Sequence, residues 1–260
     1  MRLRGAAVVI TGASSGIGAA AAIRFARAGA RLALCARRLD RLQQVADRCR
    51  SAGAADVVLR RADIGRAGDA RAFINVALQQ FDRIDVLVNN AGRGWHGRLQ
   101  DMPEDEVADL LNTNLFGCIW TIQAALPTML ESGSGVIVNV ASVVGFRAVP
   151  YSAVYSASKH ALTGLGHALR GELSGSGVKI CTVYPGTTET EFFGDGKPEG
   201  PLVQSADSVA KSIVRNARRP RRDVIMVPYR VGQLAEPLLG GVLDHALGET
   251  RRNSHPEYRA

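Results

Sequence analysis

The 260-residue sequence predicts an α/β fold in which a doubly wound parallel sheet is covered by helices on both faces, three layers in all. Three observations lead there. Short apolar runs of strand length recur along the chain, and each is followed by a stretch with helical periodicity. The first run, Ala7-Val8-Val9-Ile10, is apolar throughout rather than alternating, which is the pattern of a strand buried on both faces. The first run also ends in a glycine-rich turn that opens a helix, the junction on which such sheets bind phosphates.

Ala7-Val8-Val9-Ile10 is the first strand, and Thr11-Gly12-Ala13-Ser14-Ser15-Gly16-Ile17-Gly18 the turn. An alanine-rich helix runs from there to about Ala28, closed by Gly29. The second strand, Arg31–Cys35, ends at Ala36-Arg37-Arg38, and a helix spans about 39–51, with Asp40 in its first turn where the dipole favours an acid. Strand Val57–Arg60 leads to Asp63, a helix covers about 67–80, and strand Val86–Val88 leads into Asn89-Asn90-Ala91-Gly92. A long helical stretch then runs from Pro103 to about Leu130, proline being tolerated in a first turn. Val136–Val140 is the fifth strand, Lys179–Val183 the sixth and Asp223–Val227 the seventh, with helices from about Tyr151 to Leu173 and over about 206–217. No linker, repeat or low-complexity segment intervenes, so residues 1–260 are expected to form one domain.

Composition narrows the function classes. With 46% hydrophobic and 22% charged residues the chain reads as soluble and globular. The formal net charge of +8 permits anionic partners, but the one basic knot, Arg218-Arg219-Pro220-Arg221-Arg222, has no interleaved aromatic residue. It reads as a solvated turn, and no nucleic-acid partner is expected. The four cysteines, at 35, 49, 118 and 181, form no metal-ligand spacing, so no metal is expected, and a reducing cytoplasm fits them. Neither a secretory signal nor a membrane span is expected.

The chemistry concentrates in Ser142 to Lys159. Tyr155 and Lys159 are four apart, so a helix would place phenol and ammonium on one face. A nearby cation favours phenolate, so the tyrosine pKa is expected to fall below its ordinary value of about 10. Such a phenol can exchange a proton with a substrate oxygen, and Ser142, at a strand end, can aim a hydroxyl at the same oxygen. At the other end of the site, the glycine turn suits a pyrophosphate on the helix N-terminus. Arginine rather than an acid at the end of the second strand favours NADP(H) over NAD(H), led by Arg37 with Arg38 as helper.

With that turn, Asn89-Asn90-Ala91-Gly92, Ser142, Tyr155-x-x-x-Lys159 and Pro185-Gly186 in order, the chain resembles the short-chain dehydrogenase/reductase family over roughly residues 5–230, in its compact single-domain branch. The resemblance implies a seven-stranded Rossmann sheet and a catalytic tetrad of Asn114, Ser142, Tyr155 and Lys159. Its register selects Asn114 over Asn112, and gives the asparagine a water that links Lys159 to solvent. It also implies cofactor contacts from Gly12, Ser14, Ser15, Gly16, Ile17 and Gly18, from Arg37 and Arg38, and from Asp63 and Ile64 beside the adenine. Further contacts are implied for Asn90, Ala91 and Gly92, for Tyr155 and Lys159, and for Pro185, Gly186, Thr188 and Thr190, the last on the nicotinamide carboxamide. Asn89 would steady the sheet and the cofactor ribose. The implied activity is hydride transfer between NADP(H) and a ketone, aldehyde or secondary alcohol. The competing reading is a catalytically silent cofactor-binding sensor or scaffold on the same fold, which the intact Ser142, Tyr155 and Lys159 argue against.

Gly94-Trp95-His96, Val143–Tyr151 and the loop after Pro185 are expected to wall the substrate pocket. Trp95, Phe146 and Phe192 suggest an apolar substrate, although loop aromatics are also often only packing. Residues 186–205, rich in glycine, proline and polar side chains, read as a lid. Leu234, Leu238, Leu239, Val242, Leu243 and Leu247 lie on one helical face within a C-terminal helix and tail over 231–260. A homodimer or homotetramer is expected from the family pattern, joined through the helices near 103–130 and 151–173.

Overall fold

The computed structural model describes residues 1–193, 203–225, 240–242 and 244–250. Strands β1 (Ala7–Thr11), β2 (Arg31–Ala36), β3 (Asp56–Arg61), β4 (Val86–Asn89), β5 (Gly135–Val140) and β6 (Val178–Tyr184) alternate with helices α1 (Gly16–Arg27), α2 (Leu39–Ser51), α3 (Ala67–Phe81), α4 (Glu104–Leu111), α5 (Gly117–Glu131) and α6 (Ala153–Glu172). After β6 come two-residue strands β7 (Thr188–Glu189) and β8 (Gln204–Ser205), helix α7 (Ala206–Arg218) and strand β9 (Asp223–Ile225). The expected seventh strand is β9, and Met226 and Val227 lie outside the described residues.

The main sheet has seven parallel strands in the order β3-β2-β1-β4-β5-β6-β9. Alternate side chains of a strand point to opposite faces, and both faces here are apolar. On β1, Val8 and Ile10 join a core with Phe25 of α1, Leu42 of α2 and Ile213 of α7. Ala7 and Val9 join the opposite core with Phe73 of α3, Ile122 of α5 and Leu162 of α6. This is the expected three-layer Rossmann-type sheet. The strand order reverses between β1 and β4, and a crevice forms at such a reversal beyond the carboxyl ends of the strands.

One expected element differs. The stretch from Pro103 to Leu130 is two helices, joined by a wide π turn over Asn112–Phe116, with Pro103 at the N-cap of the first. The wide turn carries Asn114 inward, where its amide bonds the main chain at Arg93; π turns of this kind recur at functional sites. All four cysteines are free and buried. The basic knot is exposed at the end of α7, as expected of a solvated turn. Much of the proposed lid (194–202) and Leu234, Leu238, Leu239 and Leu243 of the tail lie outside the described residues, whereas residues 240–242 and 244–250 are helical. No described helix is long and apolar enough to cross a membrane.

Asp85, just ahead of β4, fixes the central pair of strands. Its carboxylate accepts the Ala7 N–H at 2.8 Å, its own N–H donates to the Ala7 carbonyl at 2.9 Å, and Arg83 pairs with it. Asp85→Ala leaves a buried strand amide without its charged acceptor, and such bonds contribute about 1.5–3 kcal/mol. We expect a urea unfolding free energy lower by about 2 kcal/mol; an unchanged midpoint would show that water replaces the carboxylate at no cost.

Candidate active site

A cavity of about 660 Å³ opens at the reversal and is lined from the loops after β1 to β6. At its floor the glycine turn meets the loop after β4. Gly12 has φ 66°, and a Cβ there would stand 2.7 Å from Ala91 Cα. The Thr11 hydroxyl accepts the N–H groups of Asn90 and Ala91 at 3.0 and 3.1 Å, while Asn90 Nδ2 donates to the carbonyls of Thr11 and Gly12, each at 3.1 Å. Ser15 is the N-cap of α1 but its side chain makes no capping bond to the helix amides, and Ser14, Ser15, Gly16 and Ile17 present the helix N-terminus to the cavity. Such a terminus attracts anions through its amides and dipole. Gly18 does not line the cavity. Its place is structural, since a Cβ there would lie 2.3 Å from the Gly12 carbonyl oxygen.

Arg37 and Arg38 form one rim. Arg38 donates to Ser15 Oγ at 2.8 Å and to Glu191 Oε2 at 2.8 Å, and Arg41 pairs with the same carboxylate. Arg37 makes no ion pair among the described residues. Asp63 and Ile64 line the next stretch, with Asp63 Oδ1 accepting the Gly65 N–H at 3.1 Å. Asn90, Ala91, Gly92, Pro185, Gly186, Thr188 and Thr190 line the remainder of the path towards α6.

At the far end stand Ser142, Tyr155 and Lys159. Ser142 faces the Tyr155 phenol, its Oγ donating to the Pro185 carbonyl at 3.5 Å, and Lys159 Nζ lies 5.7 Å from the tyrosine ring centroid and donates to the Val140 carbonyl at 3.1 Å. The expected lowering of the Tyr155 pKa is not what this arrangement gives. Burial pushes the phenol up to about 12, against a smaller opposing effect of the Ser142 hydrogen bond, and pushes Lys159 down to about 8. Each group is buried enough to resist charge, and desolvation is the larger effect at both.

Asn114 is buried and does not reach the cavity. Its Oδ1 accepts the Arg93 N–H at 2.8 Å, and its Nδ2 donates to the Arg93 carbonyl at 2.9 Å and to Ser158 Oγ at 3.1 Å. It therefore ties the loop after β4 to α6. Beneath it, Asn89 Nδ2 donates to Asn139 Oδ1 at 3.0 Å, and the Thr121 hydroxyl donates to Asn89 Oδ1 at 2.7 Å. This buried bridge joins β4, β5 and α5, and it places Asn89 within the sheet rather than in the cavity.

Gly94, His96, Val143, Val144, Val149, Ser152 and Phe192 wall the end beside Tyr155. His96 Nδ1 and Ser152 Oγ are hydrogen-bonded at 2.7 Å. Two of the expected aromatic walls are absent from the lining. Phe146 packs on Tyr184 with ring centroids 4.0 Å apart, and the Trp95 ring folds against Gly97. Phe192 does face the cavity, its ring 5.5 Å from that of Tyr155. Glu191 and Arg41 escaped sequence reasoning: they are 150 positions apart, and no local periodicity brings a loop acid to a helix arginine. Among the described residues no cluster of His, Cys, Asp or Glu could hold a metal.

The sequence profile of the short chain dehydrogenases matches residues 6–199. The chain belongs to that family. Like its relatives, this short-chain dehydrogenase is an oxidoreductase acting on CH–OH or C=O groups. An Arabidopsis thaliana protein described as 11-beta-hydroxysteroid dehydrogenase-like 4A is 38% identical over 226 residues, covering 84% of this chain and 75% of its own. An alcohol dehydrogenase from the archaeon Thermococcus sibiricus, solved with 5-hydroxy-NADP, superimposes with TM-score 0.77 at 32% identity, covering 85% of this chain and 94% of that one. A short-chain dehydrogenase/reductase from Burkholderia phymatum, solved with NAD, gives TM-score 0.82 at 27% identity, covering 89% and 92%.

The Lys159 pKa, depressed from 10.5 to about 8, couples stability to pH. The unfolded chain binds the proton more tightly, so stability associated with this group is present above about 10.5 and lost as pH falls through about 8. We expect urea midpoints of the wild type to gain over those of Lys159→Met as pH rises from 8 to 10, a relative change of a few kcal/mol at most. A constant difference across that range would show a lysine charged without penalty.

Proposed function

We propose that this short-chain dehydrogenase transfers a hydride between NADP(H) and a ketone, aldehyde or secondary alcohol of apolar character. One observation carries the reading: a single cavity has an anion-attracting helix terminus and two rim arginines at one end, and Ser142, Tyr155 and Lys159 at the other. The donor set suits a dinucleotide. The amides of α1 fit a pyrophosphate, Arg37 and Arg38 fit a 2′-phosphate, and Asp63 with Ile64 fit an adenine edge. When bound, the dinucleotide supplies or accepts the hydride. The NADP complex of the Thermococcus relative supports the larger cofactor, and the NAD complex of the Burkholderia relative makes the preference a matter for measurement.

Negative charge develops on the substrate oxygen as a carbonyl is reduced, so donors aimed at it lower the barrier. Ser142 is assigned to polarise that oxygen. Tyr155, with its pKa pushed up to about 12, holds its proton in the neutral range and is assigned to donate it to the substrate oxygen; oxidation of an alcohol starts instead from the phenolate, which takes the hydroxyl proton. Lys159 would hold the ribose hydroxyls and stabilise the phenolate left after donation. Asn114 is assigned a positioning role, fixing α6 against the loop after β4 through Ser158 and Arg93. Thr190 would meet the carboxamide of the nicotinamide. Val143, Val144, Val149 and Phe192 support an apolar substrate. We further propose one domain over 1–260, a lid over 186–205, a C-terminal helix and tail over 231–260, and a cytoplasmic location.

We also propose a homodimer or homotetramer. Phe116, Leu99 and Leu130 leave apolar surface exposed around α4 and α5, and Phe116 stacks on Trp120 at 5.8 Å, a flat face suited to a second copy. Sedimentation equilibrium is expected to give two or four times 27.7 kDa, and a lone 27.7 kDa species would refute the assembly.

Tyr155→Phe keeps the ring and removes the proton donor. Turnover of a carbonyl panel with NADPH is expected to fall by about 10²–10⁴-fold while NADPH binding, read by fluorescence titration, stays within a few-fold. Turnover equal to the wild type in that variant would remove Tyr155 from the reaction.

A further inference from the structure

Glu191 and Phe192, in the short helical turn Glu191–Phe193, both line the cavity. Thr190, just before that helical turn, packs on the glycine turn, since a Cβ on Gly16 would stand 3.1 Å from Thr190 Cγ2. Glu191 reaches outward to Arg38 and Arg41, and Phe192 reaches inward to the Tyr155 ring. The carboxylate is thus joined to two guanidinium groups, one of which also lines the proposed phosphate end. The hydrogen bond from Arg38, with Arg41 beside it, holds the Glu191 carboxyl below the usual carboxylate range.

We infer that Glu191 is a specificity-determining residue that occupies Arg38 in competition with the 2′-phosphate of the cofactor. The inference rests on the NADP(H) reading above. Its physical ground is charge: Arg38 directs Nη2 to Ser15 and Nη1 to Glu191, so a phosphate at this rim meets an arginine already paired with a carboxylate that repels the phosphate. The ion pair is also replaceable. The side chains of Arg38 and Glu191 are 44% and 54% exposed, and exposed pairs are weak. A phosphate with close to two charges, reinforced by Arg37, which makes no ion pair among the described residues, outcompetes one carboxylate. Ligands without the 2′-phosphate have no group to displace Glu191, so Glu191→Gln leaves them unaffected.

The test is isothermal titration of the full chain with adenosine 2′,5′-bisphosphate and with 5′-AMP, neither of which carries a nicotinamide. Glu191→Gln is compared with the wild type and with Asp207→Asn, which removes the same charge from a surface pair with Arg24. We expect the wild type to prefer the bisphosphate, and Glu191→Gln to bind it about 3- to 10-fold more tightly with 5′-AMP unchanged within twofold. Asp207→Asn should match the wild type with both. A wild type that binds the two ligands equally would overturn the NADP(H) reading and this proposal with it. A wild type that prefers the bisphosphate, combined with no gain in Glu191→Gln or an equal gain in Asp207→Asn, would overturn the proposal alone. Loss of 5′-AMP affinity in Glu191→Gln would also overturn it, by making the carboxylate a ribose ligand.

Discussion

The site depends on the lock between the turn after β1 and the loop after β4. Two chain segments almost eighty residues apart must come within van der Waals contact beneath the cavity. The contact works because Gly12 has no side chain, and because Thr11 and Asn90 bond each other's backbone reciprocally. The main-chain amides of α1 are thereby held at the point where the sheet reverses. Asp85 does similar work at the opposite end of the same two strands. A parallel pair cannot be joined by a tight turn, so its register must come from such side-chain ties and from apolar packing on both faces.

The second constraint is burial. Lys159 is buried and Tyr155 half-buried, and both are driven towards their neutral forms, the lysine down and the tyrosine up. A charged group held this way gains strongly from any partner brought to it, because electrostatic effects are largest where the dielectric is low. The same low dielectric demands a well-made supporting shell. Val140 supplies a carbonyl to the ammonium, and Asn114 with Ser158 fixes the helix that carries both residues.

The sheet was legible in the sequence because each buried parallel strand is a continuous apolar run, and β1, β2, β5 and β6 begin and end within one or two residues of those runs. The site was legible where chemistry follows local spacing, as with Tyr155 and Lys159 on one helical face or the glycines of the turn. It was not legible where it depends on pairs distant in the chain. Nothing near Glu191 announces Arg38 and Arg41, and nothing in Asn112–Phe116 shows that a helix widens there. The tyrosine pKa had the wrong sign because sequence spacing shows the neighbouring cation but not the depth of burial, and burial is the larger effect. Phe146 and Trp95 are apolar loop residues like Phe192, but they pack on Tyr184 and near Gly97 instead of facing the cavity.

The buried cysteines bear on handling and on life in an oxidising spell. Burial pushes the thiols of Cys49 and Cys181 up to about 11 and that of Cys118 to about 12, and Cys35 is also raised. Thiolate is the reactive form, so these sulfurs are shielded from alkylating agents and peroxides by both access and protonation. Modification at any of them requires part of the structure to open first, which makes the rate of thiol labelling a direct gauge of how often the protein breathes.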